Sequence, residues 1–298
     1  MASLLGTDQF ANVPSSTKHF PDGTNYRIEI PSVESLSILE AAISEAKSRN
    51  LTIHRVSQGS GIMLMHSTEI EQMLAVAKAN SIELCLFVGP RAEWDIGAQA
   101  FSPGGASLAP SLRGSSQLNH AIQELINVTK LGLRSVLVAD IGLLKVIQAL
   151  KKSGELPSNL MVKTSAVLPS SNPATAKLLE DLGANSINVS ADLSLQDLSE
   201  IRQSIDATLD LYIESPDSLG GLIRFYDIPE IVRIAAPVYL KFGLRNAPSL
   251  YPFGKQLEEV GIASVREKVR RASIGIEIYE RHANQTLKSD GLKRGSSP

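Results

Sequence analysis

The chain has 298 residues, 43% hydrophobic and 20% charged, with a formal net charge of −2 at pH 7. That length suits one domain of about 250 residues with tails, and the near-neutral charge excludes a strong field for nucleic acid or anionic membrane. The longest apolar runs are about eight residues, well short of the roughly 20 that span a bilayer, and the first residues lack the basic and apolar regions of a signal peptide. The expectation is a cytoplasmic protein without a nucleic-acid or membrane partner. A lone cysteine, Cys85, excludes an intramolecular disulfide and a cysteine-ligated cluster. Residues 1–22, rich in Ser, Thr and Asn, and residues 284–298 read as flexible tails around a single domain over 23–283.

Eight short apolar runs follow one another at Tyr26–Ile30, Thr52–Val56, Glu83–Gly89, Ser135–Asp140, Leu160–Ser165, Ser186–Ser190, Leu209–Glu214 and Val238–Gly243, with helix-like pattern between them. This alternation predicts an α/β protein, a (β/α)8 TIM barrel, whose chemistry belongs at the carboxyl ends of its strands.

The first run alternates charged and apolar residues, which allows Glu29 to point into the barrel, and Ser35 opens the following amphipathic helix. After the second run comes Ser57-Gln58-Gly59-Ser60-Gly61, either a plain turn or a loop whose amides hold an anion. Thr68 with Glu71 reads as a capping box for the next helix. In the third run, Leu84-Cys85-Leu86-Phe87 points to a buried thiol.

From Gly89 to about Gln117 no regular pattern returns, the longest irregular connection in the chain. It carries Arg91 and Trp94, suited to an anion and an apolar part of a ligand. The later runs end in Asp140, Lys163 and Ser165, Asn188 and Ser190, Glu214, and Lys241. A lysine inside an apolar strand must pair with an acid or line a polar cavity, and Asp140 and Glu214 are the acids expected to serve Lys163 and Lys241. Strand seven continues through Asp217 and Gly220-Gly221 to Arg224, and Arg245 follows strand eight where barrels commonly hold phosphate. The five histidines show no metal-ligand spacing, so neither a metal site nor a cofactor is expected, although magnesium on carboxylates stays open.

Beyond the barrel, Leu257 to His282 reads as a C-terminal helical extension of one or two helices. Its apolar positions are Val265, Val269, Ala272, Ile276 and Tyr279, with the basic run Arg266, Lys268, Arg270 and Arg271 between them. That basic run reads as a solvated face or an intersubunit contact, which would make the protein a homo-oligomer through these helices.

The middle of the chain carries a resemblance. Ala139-Asp140-Ile141-Gly142-Leu143-Leu144, then Ser165, Asn172, Leu182-Gly183-Ala184 and Leu193-Ser194-Leu195, resemble the barrel domain of the peptidase U32 family over residues 135 to 218. The resemblance implies a barrel and a hydrolase. The family's signature Glu-x-Phe-x-His-Gly-Ala-x-Cys stands here as Asp210 to Ser218, with Glu214 at the histidine position and Ser218 at the cysteine position. The Arg-Glu pair after the family's strand six is Ala191-Asp192, and cluster-binding cysteines have no counterpart.

The expected function is a barrel enzyme acting on a small carboxylate or phosphate substrate, of lyase, aldolase or isomerase type. Lys163, Lys241, Glu29, Asp140 and Glu214 form the acid, base and amine set, while Arg91, Trp94, Ser165, Asn188, Arg224 and Arg245 hold substrate. The alternatives are a U32-like hydrolase and a noncatalytic binding or assembly protein.

Overall fold

A computed structural model describes residues 13–89, 111–168 and 170–294, with side chains up to His282. Eight parallel strands close on themselves in chain order: β1 (Tyr26–Pro31), β2 (Arg55–Ser57), β3 (Glu83–Phe87), β4 (Ser135–Val138), β5 (Met161–Thr164), β6 (Ser186–Asn188), β7 (Thr208–Glu214) and β8 (Val238–Phe242). The ring is sealed where β8 returns to β1, with Glu29 opposite Lys241 on one side and Arg55 on the other. Each strand is followed by a helix: α1 (Leu36–Ser48), α2 (Ser67–Ala79), α3 (Gly114–Lys130), α4 (Ile141–Ser153), α5 (Pro173–Asp181), α6 (Leu195–Ser204), α7 (Ile228–Ala235) and α8 (Glu258–Arg294).

Period-two alternation sorts the strand residues into two populations. Ile28, Ile30, Leu84, Leu86, Val136, Val138, Leu240 and Phe242 face outward and join the helices in one apolar annulus. The inward positions are mostly polar: Glu29, Arg55, Lys163, Ser186, Asn188, Asp210 and Lys241 are all buried. Apolar filling of the lumen is confined to one side, where Cys85, Phe87, Leu137 and Ala139 cluster.

Helix starts follow the local sequence. Ser35 accepts from the Ile38 amide at 3.3 Å, Asn172 from Thr175 at 2.9 Å ahead of Pro173, and Ser194 and Asp197 form a capping box on α6. The box expected from Thr68 and Glu71 is displaced. The chain turns through a 3-10 segment at Ile62–Leu64, His66 becomes the last extended residue, and Glu69 accepts from its amide at 2.8 Å. Thr68 therefore lies inside the first turn.

The amino-terminal segment is packed from Val13 onward, where the sequence reads as a tail through residue 22. Val13 and Phe20 are buried, the Ser16 amide donates to the Arg233 carbonyl at 2.9 Å, and Phe20 meets Tyr239 edge-on at 5.4 Å. At the other end, α8 is one helix whose assignment continues past residue 283 to Arg294. It packs against α1 and α7 and so fills the eighth place in the helical ring, with Val265, Val269, Ala272 and Ile276 buried. No helix among the described residues is long and apolar enough to cross a membrane.

Gly275 sets how closely α8 approaches the barrel, because a Cβ there would lie 2.9 Å from Ile228 Cδ1 and from Phe242 Cε1. Leucine has the better helix propensity by about 0.8–1 kcal/mol, so any loss in a Gly275→Leu variant must come from overlap. We expect a net destabilisation of about 1–3 kcal/mol, read as a lower urea midpoint at unchanged slope. An unaltered midpoint would show that α8 does not dock on β8 at this position.

Candidate functional site

Three layers of polar side chains occupy the lumen beside the apolar cluster. Nearest the amino ends of the strands, the Arg55 guanidinium donates to Asp210 Oδ1 at 2.9 Å and to Ser186 Oγ at 3.2 Å, ion-pairs with Glu83 at 3.0 Å, and lies 3.6 Å from the Tyr239 ring centre. Ser135 and the Tyr239 hydroxyl complete the coordination of Glu83 at 2.6 and 3.1 Å. In the middle layer, Glu29 accepts from Lys163 with both oxygens and from Ser57 Oγ at 2.7 Å, with Arg55 at 3.4 Å and Lys241 at 3.6 Å. Asp210 lies 4.0 Å from Lys163 and accepts from Ser186 Oγ at 2.7 Å. In the upper layer, Lys241 sits 4.1 Å from the Tyr212 ring centre. The Asn188 carboxamide, oriented to satisfy both neighbours, accepts from Lys241 Nζ at 2.6 Å and donates to the Asp210 carbonyl at 3.3 Å.

Three cations, Arg55, Lys163 and Lys241, therefore meet three carboxylates, Glu29, Glu83 and Asp210. Burial alone would make each charge prohibitive, and mutual neutralisation with hydrogen bonds offsets much of that cost. Burial tends to raise the Glu29 pKa, but Lys163, Lys241 and Arg55 outweigh it and hold the carboxyl below its usual range. Burial also raises the Tyr212 phenol, which stays neutral, and pushes the Cys85 thiol up to about 11, so Cys85 is no nucleophile at neutral pH.

Above Lys241 the carboxyl ends of the strands open into a cavity of about 460 Å³. Its floor is Ser57, Leu137, Ser165, Asn188, Tyr212 and Lys241. The walls come from the β1 and β2 loops, from Pro216 to Leu219, from the Gly243–Tyr251 stretch, and from Ser264 and Lys268 of α8. Tyr251 closes one side: its hydroxyl bonds Ser32 Oγ at 2.7 Å, and its ring crosses Gly59 so closely that a Cβ there would lie 2.7 Å from the hydroxyl.

The amides of the small-residue loop are already engaged. Glu34 accepts from Gly59 at 2.9 Å and from Ser60 at 3.0 Å, and Gln58 Oε1 takes the Gly61 amide at 3.1 Å. The loop is thus a built turn, and its amides do not await an anion.

Of the residues singled out in the sequence, Lys241, Ser165 and Asn188 line the cavity, and Glu29 and Lys163 lie beneath it. The acids expected for the two lysines are elsewhere. Asp140 caps α4, accepting from Leu143 at 2.8 Å and from Leu112 at 3.0 Å. Glu214 would continue the inward series Asp210, Tyr212, but the β7–β8 register shifts between Tyr212 and Glu214, and the side chain turns into a separate cleft. There its Oε1 accepts from the Arg245 amide at 3.1 Å, and its Oε2 lies 3.6 Å from Arg271.

Arg245, more than half exposed, lines that second cleft beside Asp217. Arg224 ties the β6–α6 connection, donating to the Ala191 and Leu193 carbonyls at 2.9 and 2.8 Å. Arg91 and Trp94 lie outside the described residues. No cluster of three His, Cys, Asp or Glu side chains fit for a metal occurs among the described residues.

Arg55, Asp210, Tyr212 and Lys268 are the residues the sequence reading passes over. Lys268 belongs to the basic run read as a solvated face or an intersubunit contact, yet it is 5% exposed, donates to the Pro31 carbonyl at 2.8 Å and faces the cavity. Burial, only partly opposed by Glu34, lowers its pKa to about 8.

Residues 111–215, about a third of the chain, match the family described as Peptidase family U32. Among solved structures, the U32 peptidase Mk0906 is 20% identical, with 70% of this chain and 73% of that one covered at a TM-score of 0.42. A provisionally assigned fructose-1,6-biphosphate aldolase from Coccidioides immitis is 14% identical, with 86% and 93% covered at a TM-score of 0.52. The YdjI aldolase from Escherichia coli K12 is 15% identical, with 86% and 91% covered at a TM-score of 0.49. Such likeness speaks for the barrel fold alone. No match was found among curated proteins.

Replacing Glu29 by Gln leaves Lys163 and Lys241 without their shared carboxylate, and a loss of about 3–5 kcal/mol is expected in denaturant unfolding. The sign with pH follows from linkage. The folded pKa of Glu29 is depressed, so the unfolded state binds its proton first, and the stabilisation present above the ordinary carboxylate range is lost as pH falls. Wild-type stability should therefore decline on acidification below about pH 4.5 more steeply than that of Glu29→Gln. Parallel pH profiles would contradict this account.

Proposed function

We propose that the protein is a barrel enzyme that binds a small carboxylate- or phosphate-bearing substrate over Lys241 and carries out lyase- or aldolase-type chemistry in the cavity above it. The observation that carries this reading is the Lys241 ammonium, buried at the floor of a cavity of about 460 Å³ at the carboxyl ends of the strands. That volume falls in the range that accommodates metabolites, roughly 300–1,000 Å³, and the carboxyl end is where barrels place their chemistry.

Three groups surround the Lys241 head. Glu29 ion-pairs with it at 3.6 Å, Asn188 accepts one of its protons, and the Tyr212 ring face lies beneath it. Glu29 is shared with Lys163 and Arg55, so Lys241 keeps attraction to spare for an incoming anion. In the reaction this ammonium would stabilise a carboxylate, phosphate or developing enolate. Ser165, Asn188 and Ser57 offer hydrogen bonds along the floor, while Leu137 offers an apolar contact.

The match to Peptidase family U32 favours hydrolysis as a second reading. Ser165 is the serine best placed for it, on the cavity floor, but no histidine lines that cavity among the described residues to act as its base. Ser190 bonds Ser171, and Ser215 donates to the Leu219 carbonyl at 3.2 Å, so both are occupied in local structure.

The test is thermal-shift and calorimetric titration of the full chain with a panel of 2-oxo acids, hydroxy acids and sugar phosphates. At least one anion should bind, and Lys241→Met should weaken it tenfold or more, about 1.4 kcal/mol, while apo stability changes little because Glu29 keeps two cations. Equal affinity in the variant, or no response of the wild type to any anion, removes this reading. Turnover of short peptides with unchanged rate in Lys241→Met would favour hydrolysis instead.

A further inference from the structure

The cavity holds two lysines in opposite circumstances. Lys241 rises from β8 and is held by a carboxylate, an amide oxygen and a ring face. Lys268 reaches in from α8, one turn after Ser264, which also lines the cavity. Its one hydrogen-bond partner among the described residues is a neutral acceptor, the Pro31 carbonyl at 2.8 Å. No described carboxylate forms an ion pair with it, and Glu34, the acid whose charge acts on it, is committed to the Gly59 and Ser60 amides.

We propose that Lys268 is the reactive amine of this cavity and condenses with the carbonyl of a 2-oxo acid whose carboxylate rests on Lys241. The inference rests on the anion-binding reading above and assigns it a substrate class and a nucleophile.

Burial favours the uncharged amine, with a pKa of about 8, so an appreciable fraction is neutral near physiological pH. A neutral amine keeps two N–H bonds and one lone pair. One N–H continues to donate to Pro31, which orients the group, and the lone pair remains for attack.

The lone pair forms a C–N bond to the carbonyl carbon as the C=O π pair moves to oxygen. A proton leaves nitrogen and one reaches that oxygen, giving a carbinolamine. The hydroxyl then departs with a second proton as water while nitrogen's pair forms the C=N bond. Amine and ketone have become imine and water with no oxidant or reductant. Protonated, the imine withdraws electrons from the neighbouring carbon, which is the activation that carbon–carbon cleavage or proton abstraction beside a carbonyl requires.

A lysine committed to a carboxylate, as Lys163 and Lys241 are, would have to give up that pairing before it could attack. Lys268 would not.

The experiment incubates the full chain with pyruvate, 2-oxobutyrate or 2-oxoglutarate, reduces with borohydride and locates the adduct by peptide mass mapping. The expected result is a single adduct on Lys268, with a labelling rate half-maximal near pH 8. Lys268→Arg keeps the length and a donor for Pro31 but cannot condense, and it should remain unlabelled while still binding the acid. Lys241→Met should raise the concentration for half-labelling tenfold or more without moving the site.

An adduct on Lys241 or Lys163, or one spread over surface lysines, overturns the proposal. So does absence of any adduct in a wild type that binds the acid, and that outcome leaves the anion-binding reading standing. Absence of binding by all three acids overturns the proposal, and the anion-binding reading falls with it only where hydroxy acids and sugar phosphates also fail to bind. Should Lys268→Arg fail to fold, the wild-type map alone still decides.

Discussion

One carboxylate governs the interior of this barrel. Glu29 receives both oxygens' worth of hydrogen bonds from Lys163, another from Ser57, and the attraction of Arg55 and Lys241. Most barrels fill the lumen with branched apolar side chains, whereas this one fills half of it with a charge-neutral lattice of six ionic groups. Such a lattice contributes less net stability than an apolar filling would, because each ion must be desolvated, but it fixes geometry. Every strand supplies at least one polar member that bonds to a different strand, Ser135 of β4 through Glu83 included, so the relative heights of the strands are set by polar contacts as well as by the backbone ladder.

The lattice also dictates where reactivity survives. Lower in the lumen every charge is matched, and Arg55 and Asp210 are enclosed with no opening to a ligand, while Glu83 at the amino end stays partly exposed. Matching becomes incomplete only at the top, where Lys241 shares its acid with two other cations and one side faces the cavity. The helix that covers this opening brings its own lysine, held by a backbone carbonyl. The cavity is therefore cationic and short of acids on its floor, which selects for an anion independently of any particular chemistry. Asp217 at the rim is the exception, and it is drawn toward Arg245 and the Asn246 amide.

Much of this was legible in the sequence, and the failures have physical causes. The eight strands stand out because each needs an apolar outer face against a helix, which leaves a run of alternating or continuous hydrophobes. Glu29, Lys163 and Lys241 stand out because a charge amid such a run has few acceptable settings. Their pairing is harder to read, since partners lie across the lumen from strands far apart in the chain, and the nearest acids at strand ends are deceptive. Asp140 lies where β4 has become a helix cap, and Glu214 follows a register shift that sequence does not announce. Arg55 and Asp210 are hidden in runs whose charges resemble ordinary solvent-facing alternation. Lys268 is the instructive omission. Val265, Lys268, Val269, Ala272 and Ile276 form one helical stripe at spacings of three and four, so the lysine occupies a core position. Its neighbours Arg266, Arg270 and Arg271 disguised it as part of a solvated run.

The division between matched and unmatched sequence bears on how the site is built. The stretch that matches Peptidase family U32 contributes Lys163, Ser165, Asn188, Asp210 and Tyr212, which form the floor and the ionic lattice under it. Both cavity lysines lie beyond residue 215, on β8 and α8, and Glu29 lies before residue 111. The family's signature histidine position holds Glu214, which the register shift carries away from the cavity into contact with Arg271. The cations that face the cavity are then the two lysines that closure of the barrel by β8 and α8 brings to it.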